Sequence, residues 1–221
     1  MAEEIDFITQ VHLSTARDYI GRVNEADKAD CAERAVKWDY DYWDGERKYG
    51  YGGYSYDGRW RSVAESMVKR YALDESSRIL DVGCGKGYLL YEFTQILPGC
   101  HVTGIDISQY AIENAKEEIR DSLKITSASD LPFEDANFDF VYSINTFHNL
   151  YIDELYSALS ELTRVSKSDA YITVESYRSE REKMNLLYWQ LTCRAFHTPT
   201  EWRWIFERVG YTGDFGFIYF E

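Results

Sequence analysis

The chain has 221 residues, 45% of them hydrophobic and 28% charged, with only three prolines; this suits a single folded unit and excludes collagen-like, low-complexity and broadly disordered classes. A formal net charge of −14 repels polyanions, so neither nucleic acid nor an anionic membrane surface is expected as a partner. No apolar run nears the roughly 20 residues that cross a bilayer, and the acidic start Met1-Ala2-Glu3-Glu4 is unlike a targeting peptide. Cys31, Cys84, Cys100 and Cys193 show neither paired nor metal-ligand spacing, so a cytoplasmic protein without a metal site is expected.

Residues 1–37 mix charged and apolar side chains at helical spacing, with Asn24 expected to cap a helix over Glu25–Lys37. From Trp38 to Trp60, nine Trp or Tyr residues alternate with five glycines, too many for a helix or strand. That pattern predicts a long aromatic loop, ordered and covering something. Residues 45–78 are also the one stretch with more bases than acids, seven against five.

Beyond it, helix-length and strand-length units alternate. Helices are expected over Arg59–Ala72, Lys86–Leu97, Ser108 to about Asp121, Ile152–Val165 and Thr200–Val209. Strands are expected over Arg78–Val82, His101–Ile105, Leu123–Ser127, Phe138–Ile144, Ala170–Ser176 and Gly213–Phe220. The alternation implies an α/β fold: a mostly parallel twisted sheet of six to seven strands with helices on both faces. Residues 1–59 then form a helical and aromatic cap, and 60–221 the sheet domain.

The strongest chemical signal is Asp81-Val82-Gly83-Cys84-Gly85-Lys86-Gly87-Tyr88, set between the first strand and the next helix. Glycines there let a ligand approach the backbone beside the positive end of a helix. At the end of the following strand, Asp106 is placed to accept both hydroxyls of a ribose. The dinucleotide fingerprint has glycine where Tyr88 stands, which weakens a nicotinamide dehydrogenase reading. A nucleoside bearing an amino acid, which has no pyrophosphate, suits the loop better.

Taken with these residues, Ala128-Ser129-Asp130-Leu131-Pro132-Phe133, Phe138–Ser143, Phe147-His148-Asn149-Leu150 and Leu159–Val165 follow in the order of a known family. From about Arg78 to Ser176 the chain resembles the class I (Rossmann-like) S-adenosylmethionine-dependent methyltransferases. The resemblance departs at Ser166-Lys167-Ser168-Asp169-Ala170, where the family usually has a Lys-Pro-Gly-Gly turn. It implies S-adenosyl-L-methionine as cofactor, held by Asp81, Gly83, Gly85, Gly87, Asp106, Ile107, Asp130, Leu131 and Asn145, with Asp130 meeting the adenine amino group.

The implied reaction moves a methyl group to oxygen or nitrogen of a small polar, even anionic, metabolite, and needs no metal. A proton acceptor is then sought among His148, Glu175 and Tyr177. Tyr49, Tyr51, Tyr54 and Tyr56 are expected to form an acceptor pocket with Arg47, Lys48, Arg59 and Arg61, the guanidiniums binding an acidic group. Four alternatives stand beside this reading: a non-catalytic S-adenosylmethionine-binding module, a partner-stabilising module, and methylation of a cationic amine or of a protein. Monomer and homodimer are equally compatible with the sequence.

Overall fold

The computed structural model describes residues 2–221. The N-terminal region holds four short helices: α1 (Thr9–Leu13), α2 (Tyr19–Glu25), α3 (Lys28–Ala35) and α4 (Tyr40–Trp43). Then come α5 (Arg61–Arg70), β1 (Arg78–Val82), α6 (Tyr88–Ile96), β2 (His101–Asp106), α7 (Gln109–Glu113), α8 (Glu117–Arg120), β3 (Leu123–Ile125) and β4 (Phe138–Ile144). The chain ends with α9 (Ile152–Val165), β5 (Ser166–Glu175), α10 (Glu180–Trp189), α11 (Pro199–Arg208) and β6 (Asp214–Ile218).

The six strands form one sheet in the order β3-β2-β1-β4-β5-β6, every pair parallel. Alternate side chains feed two cores. Leu80, Val141, Ile172 and Val174 pack against α9 and α11, while Ile79, Phe140, Tyr142 and Tyr171 pack against α5 and α6. Strand order reverses between β1 and β4, which opens a crevice at the carboxyl ends of the strands. The free edge of β6 is covered by the N-terminal segment, since Ile5 N donates to Phe215 O (2.7 Å) and Phe215 N to Glu3 O (3.0 Å). That contact removes an exposed edge.

Several sequence expectations need correction. Asn24 lies inside α2; the caps are Asp18, which accepts from Gly21 N, and Asp27, which accepts from Ala29 N and Asp30 N. The helix expected from Ser108 breaks into α7 and α8, although Ser108 does cap α7 by accepting from Ala111 N. The aromatic segment contains α4 and a 3-10 turn at Arg47–Tyr49 rather than being loop throughout. Helix α10 was not expected; its cap Ser179, accepting from Glu182 N, was the sequence signal for it. Where the family turn is missing, α9 passes directly into β5 at Ser166, with a register shift between Phe138 and Phe140 of β4.

Candidate active site

Between β1 and α6 the chain turns through Gly83 and Gly85, both at positive φ (+88° and +53°), a region L side chains rarely adopt. A Cβ on Gly83 would strike Thr146, and one on Gly85 would come within 2.6 Å of the Trp43 ring. Trp43 therefore lies directly over the glycine loop. It is fixed there by its indole N–H, which donates to Ser108 Oγ at 2.9 Å, and by stacking on Tyr51.

The aromatic segment is pinned by a second contact. Lys86, 4% exposed, donates to both Asp44 oxygens (2.8 and 2.7 Å) and to Tyr54 O (2.8 Å). Asp44 also accepts from Tyr54 N and the Tyr110 hydroxyl. Burial pushes the Asp44 carboxyl up, but these hydrogen bonds outweigh it and hold it below the usual carboxylate range.

Three cavities meet under this cover. The first, of about 310 Å³, has Gly83, Asp106, Ile107, Thr126, Ser127 and Ala128 on its wall. Asp106 Oδ2 accepts from Gly85 N and Oδ1 from Ser108 N, each at 2.8 Å, so one carboxylate ties the loop to β2 and keeps lone pairs for a ligand. The second, about 60 Å³, lies between Asp81, Gly83 and Gly85 below and Trp43, Tyr51 and Tyr54 above. Burial pushes both Asp81 and Asp106 above the normal carboxylate range, opposed in part by the Tyr142 hydroxyl at Asp81 and by backbone N–H groups at Asp106.

The third cavity, about 330 Å³, is lined by Arg17, Arg22, Arg47, His148, Glu175 and Gln190 among others. Tyr51 and Asn145 line all three. Asn145 itself sits at φ +58°, and its side-chain oxygen is buried without a hydrogen-bond partner.

His148 and Glu175 form a buried pair at the floor of the third cavity. The imidazole Nδ1 accepts from Glu175 N at 3.2 Å, so a neutral ring carries its proton on Nε2, 3.4 Å from Glu175 Oε2. Burial lowers His148 to about 3. Burial raises Glu175 to about 8, against a hydrogen bond from Gln190 and the charge of Arg17. At neutral pH Glu175 is thus largely protonated, and its Oε2 has no hydrogen-bond partner.

A family model described as a methyltransferase domain matches residues 80–174, the segment that builds the glycine loop, β2 and the switch point. Over residues 80–174 the chain carries a class I S-adenosylmethionine-dependent methyltransferase domain. An O-methyltransferase of Aspergillus nomiae is 29% identical over 119 residues, covering 51% of this chain and 52% of its own. A ubiquinone/menaquinone biosynthesis C-methyltransferase of Citrifermentans bemidjiense is 31% identical over 126 residues, covering 53% and 52%. The chain spans about half the length of the curated relatives it matches. Among solved structures, a chain of the complex between the Haloferax volcanii Trm112 methyltransferase activator and a methyltransferase shares the fold. It aligns with a TM-score of 0.53 at 22% identity, over 71% of this chain and 77% of that one. The YcgJ protein of Bacillus subtilis aligns at 0.54 and 20% identity over 66% of each chain.

The residues present fit the family cofactor, S-adenosyl-L-methionine. That molecule brings an ammonium and a sulfonium, and the two cavities hold buried Asp81 and half-buried Asp106, neither with a cationic partner. Asp81 and Asp106 offer carboxylates, and Ile107 and Ala128 apolar side chains, to a ligand in these cavities.

Not every sequence candidate reaches these cavities. Gly87 packs toward Ile119 of α8 rather than facing the ligand space. Asp130 and Leu131 are off the wall: Leu131 is buried in the core with its N–H on Glu161, and Ser127 and Ala128 take the place foreseen for Asp130. Tyr177 packs in the opposite core beneath Lys183. Tyr51 and Tyr54 line the site, whereas Tyr49 packs on α3 and Tyr56 donates to Glu92 at 2.6 Å. Arg59 reaches the third cavity already paired with Asp57, and Arg61 points to Glu65 and Glu92. The sequence reading missed Trp43, Lys86, Arg17, Arg22 and Thr192; a Trp-Asp pair ahead of the basic stretch was the only local signal for the first.

Proposed function

We propose that the chain transfers a methyl group from S-adenosylmethionine to oxygen or nitrogen of a small polar molecule, with residues 1–59 as a cap over a cofactor-binding unit of residues 60–221. One observation carries the reading. A cavity suited to the cofactor and a second, polar cavity share a wall at Tyr42, Tyr51, Asn145, Asn149 and Thr192. Displacement at carbon needs donor and acceptor aligned and water excluded, which is what two abutting pockets under an aromatic cover supply.

When bound, the cofactor supplies an electrophilic methyl on a sulfonium. Asn145 holds the junction: it has a left-handed backbone, lines all three cavities, and carries a buried side-chain oxygen with no hydrogen-bond partner. Trp43 and Tyr51 close the cofactor side against water. His148 is not the proton acceptor, because its Nδ1 lone pair is engaged by Glu175 N. Its part is to position Glu175, which lines the cavity and takes a proton from the acceptor in its ionised form, the form that gains weight as pH rises toward 8. Relatives named as O- and C-methyltransferases support the reaction class.

The test is transfer of labelled methyl from S-adenosylmethionine to a panel of small hydroxyl and amine acceptors. Turnover that falls to background in Asn145→Ala, with cofactor affinity held, supports the assignment. Tight cofactor binding with no transfer to any acceptor supports the non-catalytic module instead.

A further inference from the structure

The third cavity carries more positive charge than its hydrogen bonds explain. Arg17, Arg22 and Arg47, from three separate segments of the cap, set their guanidiniums over the single ring of Trp189 at 5.5, 4.6 and 5.2 Å from its centroid. Each is tethered to backbone: Arg17 to His12 O and Thr15 O, Arg22 to Trp189 O and Arg47 O, Arg47 to Gly50 O and Tyr51 O. Those tethers fix position without neutralising charge.

Among the described residues, none of the three has a carboxylate within ion-pair distance, whereas Arg59 on the same rim is paired with Asp57 at 2.5 Å. Arg17 Nε is buried with no partner at all. The one carboxyl facing them, Glu175, is held largely uncharged by burial. Arg17 and Arg22 are half-buried, and cations held so without a counter-charge are costly; here the missing partner has a cavity to occupy.

Resting on the reading of this cavity as the acceptor site, we propose that Arg17, Arg22 and Arg47 form an oxyanion subsite, so that the methyl acceptor bears a carboxylate or phosphate and turns its hydroxyl or amine toward Asn145. Planar guanidiniums lying on an indole are preorganised to grip two oxygens at once. Of the basic residues the sequence offered, this keeps Arg47, adds Arg17 and Arg22, and leaves out Lys48, Arg59 and Arg61.

The test is calorimetric titration of the whole chain at fixed ionic strength with benzoate, with its neutral isostere benzamide, and with inorganic phosphate. One or both anions should bind, with benzamide at least about tenfold weaker than benzoate if the carboxylate is the better fit. Arg22→Gln and Arg47→Gln should each weaken anion binding about tenfold, and Arg208→Gln, on the outer helix α11, should not. Arg17→Gln removes its bonds to His12 O, Thr15 O and His12 Nδ1, so the two rim variants, checked for native circular dichroism, carry the decision. Equal binding of benzoate and benzamide with no phosphate binding, or anion affinity unchanged in both rim variants, overturns the subsite. A parallel titration with S-adenosylhomocysteine separates the two levels. If it binds while no anion does, only the subsite fails; if anions bind and it does not, the subsite stands and the methyltransferase reading fails.

Discussion

The two large cavities that meet at Asn145 share Tyr42 and Tyr51 of the aromatic segment but gather different groups around them. The cofactor side is built from the carboxyl ends of β1, β2 and β4 and is acidic through Asp81 and Asp106. The acceptor side is built from the N-terminal helices, the aromatic segment and the end of α10, and is basic through Arg17, Arg22 and Arg47. A regular sheet can place acids to a fraction of an ångström for a cofactor that never changes. A cap of short, tethered pieces is suited to a partner that differs from enzyme to enzyme.

The joint between the halves is the Lys86–Asp44 pair, and breaking it has the largest expected effect. Lys86→Met leaves a mostly buried carboxylate uncompensated, a cost of about 3 kcal/mol, and should lower the thermal midpoint by roughly 6–12 °C. A midpoint unmoved in a melting experiment shows that the cap is held by other means.

Next in size, Asp106→Asn cannot accept from both Gly85 N and Ser108 N, and S-adenosylhomocysteine affinity should fall about 30-fold while benzoate binding stays unchanged. Equal damage to both ligands would mean that the two halves are not separable.

A smaller effect sharpens the acceptor side alone. Glu175 titrates near 8 in the folded chain against an ordinary value of 4.5, so the folded state binds the extra proton and the group's stabilising contribution is full below about pH 4.5 and lost as pH rises through 8. His148 runs the other way: its contribution is present above 6.5 and lost as pH falls through about 3. Urea unfolding of Glu175→Gln should therefore show a flatter fall in stability between pH 5 and 8 than the parent, with the acid limb kept. Identical slopes would place the ionisation elsewhere. Smallest of all, Arg61→Gln removes an exposed helix pair with Glu65 and a longer one with buried Glu92, and should leave ligand binding unchanged while lowering the melting midpoint only slightly.

How much of this was readable beforehand follows the same division. The glycine loop, Asp106 and every strand were legible, because hydrophobic runs and a glycine-rich turn are local signals and neighbouring strands repeat them. Asp130 stays off the wall because Ser127 and Ala128, three and two residues earlier, are the ones that follow β3 onto it. Tyr177 misled because the rule about strand ends says nothing of a residue two positions past the strand, where the chain has already turned into the opposite core.

By itself the sequence determined the parallel sheet, its loop for a nucleoside cofactor and the family of its methyltransferase domain, since each rests on residues close together in the chain. Only the tertiary structure decided which aromatics cover the loop, which of His148 and Glu175 has a free atom, and where the positive charge gathers. Arg22 meets Trp189 O across 167 positions, and Trp43 meets Ser108 across 65. Contacts at that separation are set by how the whole chain packs, and no local pattern records them.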